Sequence, residues 1–320
     1  MKAQKAPDLV ATGPLEPMTG LQHRLVHGDQ ELVVTEVGAT LRAYGVGGRP
    51  AMLGFDEDQI STHARGQLLV PWPGRVGDGR YRWGEEDHQL PLDEPALGNA
   101  IHGLVRWVNW EGTVHSDGLL VMHHRLHPRD GYPFCLDLVA TFELGDAGLE
   151  VSQAATNLGD RPAPYGAGAH PYLTVATGAV DDWTLRLPAE TVLRTDRRML
   201  PSAREPVRGS EFDFRMARPI GATRLDTPFT DLVRDPDGRV RVSVESAEGR
   251  RLVLWADRAF PWLLVFTGDW MQPAERRRGL AVEPMTCPPD ALRSGEGVIT
   301  LEPGETTTGR WGIDVSGFRD

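Results

Sequence analysis

Two residues in the chain stand where acid–base groups are often held. Glu283 closes the run Gly279-Leu280-Ala281-Val282, which otherwise reads as a buried strand. A carboxylate there needs partners or its pKa rises, and a glutamate with a raised pKa suits a general base near neutral pH. The plainer alternative is a strand-end glutamate facing water. His170 follows the small residues Gly166-Ala167-Gly168-Ala169 and precedes Pro171-Tyr172-Leu173. Small residues let a partner approach the backbone, and a following proline confines the residue before it to extended angles. Glu283 likewise precedes a proline, Pro284. Both candidates thus sit on restrained backbone, which suits a proton donor or acceptor. The alternative for His170 is a core histidine closing a glycine-rich strand.

Around these lie residues that could hold a polar ligand. Arg75, in Pro71-Trp72-Pro73-Gly74-Arg75-Val76-Gly77, carries a fork of donors between an aromatic-proline segment and a glycine turn. His102 sits in Asn99-Ala100-Ile101-His102-Gly103, and Asp231 in Thr227-Pro228-Phe229-Thr230-Asp231-Leu232. A surface turn is the plain alternative for Asp231. Trp72, Trp107, Trp110 and Trp270 could stack on the apolar face of a sugar, although each could equally fill a large β core. His123 and His127 share a face of one predicted strand, but no third metal ligand accompanies them. Cys135 and Cys287 lie far apart with no Cys/His metal spacing, so neither a metal nor a disulfide scaffold is expected.

The elements that must position these groups are short and β-like. Apolar alternation predicts strands over 31–37, 40–46, 119–126, 136–144, 149–157, 183–187, 240–245, 251–256, 262–267, 280–283 and 307–315. Asp237-Gly238 and Glu248-Gly249 sit between alternating runs and predict hairpins. Short helical turns fit 59–65 and 289–293, and no amphipathic stretch predicts a longer helix. With 36 glycines and 25 prolines among 320 residues, a helical bundle is excluded. Many strands without intervening helices imply an all-β sandwich or barrel. No linker divides the chain, which predicts an arm over 1–20 and a single large domain over 21–320.

Composition narrows the function. Hydrophobic residues at 40% and charged residues at 25% are a globular balance. A formal net charge of −11 demotes nucleic-acid binding. The N-terminus lacks an apolar signal-peptide core, and no run approaches a membrane span. A soluble cytoplasmic protein without nucleic-acid or membrane partners is the expectation; oligomeric state is not legible.

Taken together, Pro73-Gly74-Arg75-Val76 with Gly79-Arg80-Tyr81, Asn99-Ala100-Ile101-His102-Gly103, Gly168-Ala169-His170-Pro171-Tyr172, Thr230-Asp231-Leu232 and Val282-Glu283-Pro284 resemble the aldose 1-epimerase (galactose mutarotase) family. They occur in that family's order and span roughly 30–315. The wording looks closest to a bacterial branch that includes sulfoquinovose mutarotase-like members. The resemblance implies a β-supersandwich with an open sugar cleft and interconversion of α and β anomers of a free aldose, without cofactor or metal. Carried over residue by residue, Glu283 is the general base and His170 the general acid. His102, Arg75 and Asp231 hold the sugar, with Trp72 and Tyr172 as further contacts. Two positions depart from the pattern: Gly74 stands where the family usually has Asn, and Leu173 where it has an aromatic.

Ring opening needs one base and one acid, so a bell-shaped pH–rate profile is expected, with Glu283 ionised and His170 protonated. Competing readings are a non-catalytic sugar-binding module on the same scaffold, and an epimerase of an anionic sugar such as sulfoquinovose or a hexose phosphate. A glycosidase is disfavoured, because that chemistry usually takes a pair of carboxylates.

Overall fold

The computed structural model describes residues 17–319. Most of the arm predicted over 1–20 therefore lies outside the described residues. The structure is nearly all sheet, 48% strand and 2% helix, without a closed barrel. No helix among the described residues is long and apolar enough to cross a membrane.

Alternation of buried and solvent-facing residues builds a nine-stranded antiparallel sheet. Its centre is Leu119–Leu126, Leu136–Gly145, Gly148–Asn157, Thr306–Asp314, Arg251–Ala256 and Val240–Glu245, in that spatial order. Along Gly148–Asn157 every second residue is buried, as a sheet with one face on the core requires. An eight-stranded sheet packs against it through a shared core. Its strands run, in spatial order, Pro201–Pro206, Ala189–Thr195, Asp226–Leu232, Trp262–Phe266, Leu280–Met285, Gly168–Ala169 and Leu68–Leu69 at the edge, with Tyr172–Leu173 also paired to Leu280–Met285.

Trp262–Phe266 and Leu280–Met285 are buried on both faces. Leu263, Val265, Leu280 and Val282 point into the main core. Their neighbours Trp262, Leu264, Phe266, Ala281 and Met285 join Tyr172 in a second apolar cluster on the other face. Period two puts Glu283 on this second face, and the register pairs it with Leu264. Asp226 pairs with Phe266 and shares that face.

Two details differ from the sequence reading. Asp237-Gly238 forms a tight turn, but its flanking strands Asp226–Leu232 and Val240–Glu245 belong to different sheets, so it closes no hairpin. Glu248-Gly249 does join paired strands. The segment 59–65 folds as turns rather than a helix, because His63 and Ala64 have left-handed backbone. The later helical turn forms at Ala291–Ser294.

Candidate active site

A cleft of about 590 Å³ opens over the second face of the eight-stranded sheet. Its floor carries Glu283 and His170, both buried, with His170 Nε2 3.1 Å from Glu283 Oε1. Glu283 comes from the fourth position of Leu280–Met285, and His170 from the turn between Gly168–Ala169 and Tyr172–Leu173. Both of those short strands pair with Leu280–Met285, which is why residues 113 positions apart meet. Tyr172 stacks beneath the His170 ring, centroids 4.9 Å apart and planes 12° from parallel. The His102 ring meets His170 edge-on at 5.5 Å.

Burial sets the proton affinities. It pushes the Glu283 carboxyl well up, with Asp226 adding to the rise and Arg75 opposing it. It pulls His170 down to about 3 and His102 well below the usual histidine range. Each group thus favours its uncharged form, and the pair is most stable in the empty cleft with one proton shared between carboxyl and imidazole. Glu283 Oε2 has no hydrogen-bond partner among the described residues, leaving an acceptor for an incoming hydroxyl.

His102, His170 and Glu283 bring three potential metal-ligand atoms within 4.8 Å of one another. The local bonding does not suit a metal. Gly74 N–H donates to His102 Nδ1 at 3.1 Å, so the neutral ring carries its proton on Nε2. One nitrogen is taken and the other is a donor. The cluster is built for hydrogen bonding to a ligand oxygen.

The wall is polar. Arg75 lies on Arg75–Gly77, paired with Asn99–Ile101, and is clamped by Glu94 through Nε at 2.9 Å and Nη2 at 3.0 Å. Asn99 steadies Glu94 at 2.8 Å. Arg106 and Asp93 form a second pair at 2.8 Å. Asp226 faces the cleft, its carboxyl raised by burial against the pull of Arg75. Trp107 and Trp270 stand half-exposed or more at the rim.

The cleft brings together Glu283, His170, His102, Arg75 and Tyr172. It does not include three other sequence candidates, Asp231, Trp72 and Trp110, the last of which is 2% exposed and packs in the main core. Asp231 is exposed, with left-handed backbone (φ 53°), and accepts a hydrogen bond from Thr191 Oγ1. It lies five residues from Asp226 on one strand, an odd separation that turns it from the cleft face. Trp72 is 2% exposed and packs in the main core near Tyr132, so it cannot meet a ligand. Tyr172 serves as the plate under His170, its hydroxyl donating to the His63 carbonyl at 3.1 Å. Sequence reading passed over Asp226, Glu94, Asp93, Arg106 and His63. The one signal for Asp226 was a second aspartate in the same segment, and alternation alone could not say which faced the ligand.

An all-β scaffold with a buried Glu–His pair under an open polar cleft is the setting in which known relatives become informative. The aldose 1-epimerase family model matches residues 22–313. The uncharacterized protein YihR of Escherichia coli (strain K12) is 33% identical over 289 residues, covering 88% of this chain and 89% of that protein. Among solved structures, the GalM/aldose epimerase homologue from C. elegans superposes with a TM-score of 0.81 at 16% identity, covering 92% of this chain and 98% of that one. Galactose 1-epimerase from Lactobacillus acidophilus NCFM gives 0.76 at 22% identity, covering 92% and 93%. The chain belongs to the aldose 1-epimerase family, whose members are isomerases that bind sugars.

Proposed function

We propose that this protein interconverts the α and β anomers of a free hexose, with Glu283 and His170 as its acid–base pair. The observation that carries this reading is the 3.1 Å contact between the two buried groups at the floor of the cleft. The hydroxyl oxygen and the ring oxygen of an aldose are both bonded to C1. Two groups this close can each reach one of them.

The entering sugar separates the pair. Its hydroxyls and the Arg75 charge stabilise the Glu283 carboxylate, and the shared proton passes to His170. Glu283 then takes the proton from the anomeric hydroxyl while His170 gives its proton to the ring oxygen. The C1–ring oxygen bond breaks, C1 becomes an aldehyde, and the ring oxygen becomes a hydroxyl. After rotation about C1–C2 the hydroxyl returns its proton to His170 and attacks C1, and Glu283 reprotonates the carbonyl oxygen. No proton is gained or lost. His102 Nε2–H, Arg75 and Asp226 hold the hydroxyls, and Trp107 and Trp270 cover the sugar's apolar face.

The test is the rate at which freshly dissolved α-D-glucose and α-D-galactose anomerise, followed by polarimetry or proton NMR. Wild-type protein accelerates the change and Glu283→Gln does not. Sugar binding without acceleration would instead support a binding module. A second reading, an anionic sugar, is favoured by Arg197. This exposed guanidinium lines the cleft with no carboxylate ion pair among the described residues. Faster turnover of α-sulfoquinovose than of glucose, lost in Arg197→Ala, would select it.

A further inference from the structure

His63 belongs to none of the motifs discussed above, yet it lines the cleft beside His170 and Glu283. Its backbone is left-handed (φ 52°), and so is that of Ala64 (φ 54°). Two successive non-glycine residues in this region are costly and persist only where surrounding contacts impose them. Here the contacts are many. Ser61 Oγ donates to the Arg65 carbonyl at 2.9 Å. The buried Arg65 guanidinium binds the Gly54 carbonyl, Thr62 Oγ1 and Glu275. Tyr172, the plate under His170, donates to the His63 carbonyl. The loop is also sewn to the main chain of His170, which receives Gly66 N–H at 2.9 Å and donates to Gln67 at 3.0 Å.

This bracing fixes the loop against the catalytic histidine, while the His63 ring itself is exposed and makes no hydrogen bond among the described residues. A loop of ordinary geometry would not need such support to place a solvated side chain. We infer that His63 is a substrate-contacting residue whose imidazole holds a sugar hydroxyl at the cleft wall and so sets affinity for the ring. A neutral imidazole offers one donor and one acceptor, which matches a hydroxyl that does both. This inference rests on the mutarotase reading and adds to it the residue that the strained loop exists to present.

The experiment compares wild type with His63→Gly and His63→Asn, using whichever of α-D-glucose, α-D-galactose or α-sulfoquinovose the wild type turns over fastest. Glycine and asparagine both tolerate left-handed backbone, so neither variant strains the loop further. Anomerisation kinetics give KM and kcat, tryptophan fluorescence gives Kd for the sugar, and thermal melting reports the fold. The expected result is a KM and Kd raised about five- to tenfold in His63→Gly, with kcat within about twofold and an unchanged or higher melting temperature. His63→Asn, which keeps a donor and an acceptor on a shorter stem, falls between the two. Affinity within about twofold of wild type in both variants overturns the inference. So does a fall in kcat at unchanged KM, which would mean that His63 acts through His170, and so does a lowered melting temperature in both, which would mean a structural role. Wild-type protein that neither binds nor anomerises any of the three sugars removes the mutarotase reading itself, and this inference with it.

Discussion

At the scale of single residues, the proposed mechanism makes the shared proton of Glu283 and His170 decide how activity depends on pH. Independent groups at ordinary values would be active only between about 4.5, where glutamate ionises, and about 6.5, where histidine loses its proton. Above that window the rate would fall about tenfold per pH unit. Burial lowers the affinity of His170 for a second proton and raises the affinity of Glu283 for the shared one, so the one-proton pair outlasts both limits. The bell expected from the sequence therefore widens into a plateau. We predict that kcat/KM, which reports the groups of the free protein, stays at pH 8 within about threefold of its value at pH 6; a tenfold or greater fall would mean that the groups titrate independently. Glu283→Gln removes the proton acceptor and should lower kcat by about 10²–10⁴ with sugar affinity nearly intact. The two aspartates of Asp226–Leu232 offer a matched comparison. Asp226→Asn should raise KM at least about fivefold, whereas Asp231→Asn should leave kinetics within about twofold. Equal effects would contradict the placement of Asp226 in the cleft and of Asp231 outside it.

At the scale of elements, alternation made much of the sheet legible. Leu119–Leu126, Val240–Glu245 and Arg251–Ala256 coincide with the ends predicted, because each has one face on the core and one outside. Glu111–Ser116 left no such trace: it is an edge strand exposed at every position. Asp226–Leu232 was obscured for the opposite reason, with four consecutive buried residues, Thr227-Pro228-Phe229-Thr230, hiding its period. The two buried groups that meet at the cleft floor stood out in the sequence because a proline follows each. The polar wall was not, because Glu94 and Asp93 owe their role to a loop path that no local pattern encodes. The turn at Gly74 shows how tightly an element can hold a side chain of the cleft. Its φ is +67°, its carbonyl accepts His102 N–H at 2.9 Å, and its own N–H orients the His102 ring. A Cβ there would lie 3.1 Å from Pro289 Cγ. Gly74→Ala should therefore cost about 1–2 kcal/mol in denaturant unfolding and lower kcat/KM by loosening His102. A variant as stable and active as wild type would show that Pro289 yields and that the turn does not set the ring.

At the scale of the whole molecule, the same buried groups tie stability to acidity, and the sign follows from counting protons. Between pH 4.5 and 6.5 the unfolded chain carries one proton on residues 170 and 283 together, since the histidine is charged and the glutamate ionised. The folded pair also carries one, so over this range its contributions cancel. His102 has no such partner. Folded, it stays neutral well below 6.5, because burial and the neighbouring His170, Arg106 and Arg75 all disfavour its charge. Unfolded, it binds a proton as the pH falls through 6.5. The unfolded state then holds the extra proton, and stability drops by about 1.4 kcal/mol per pH unit from this site alone. His88 and His124, lowered by partial burial, act in the same direction. The carboxyls of Asp226, Asp93 and Asp290, raised by burial, act in the opposite sense, so urea unfolding at half-unit steps from pH 7 to pH 4.5 should show a slope to which His102 contributes about one proton. His102→Gln, which keeps an acceptor for Gly74 N–H but cannot titrate, should flatten that slope by about one proton while leaving the curve near pH 7 little changed. An unaltered slope would mean that His102 is already protonated in the folded protein. It would then face Glu283 and His170 as a cation, and the neutral tautomer fixed by Gly74 could no longer be what presents Nε2–H to the sugar.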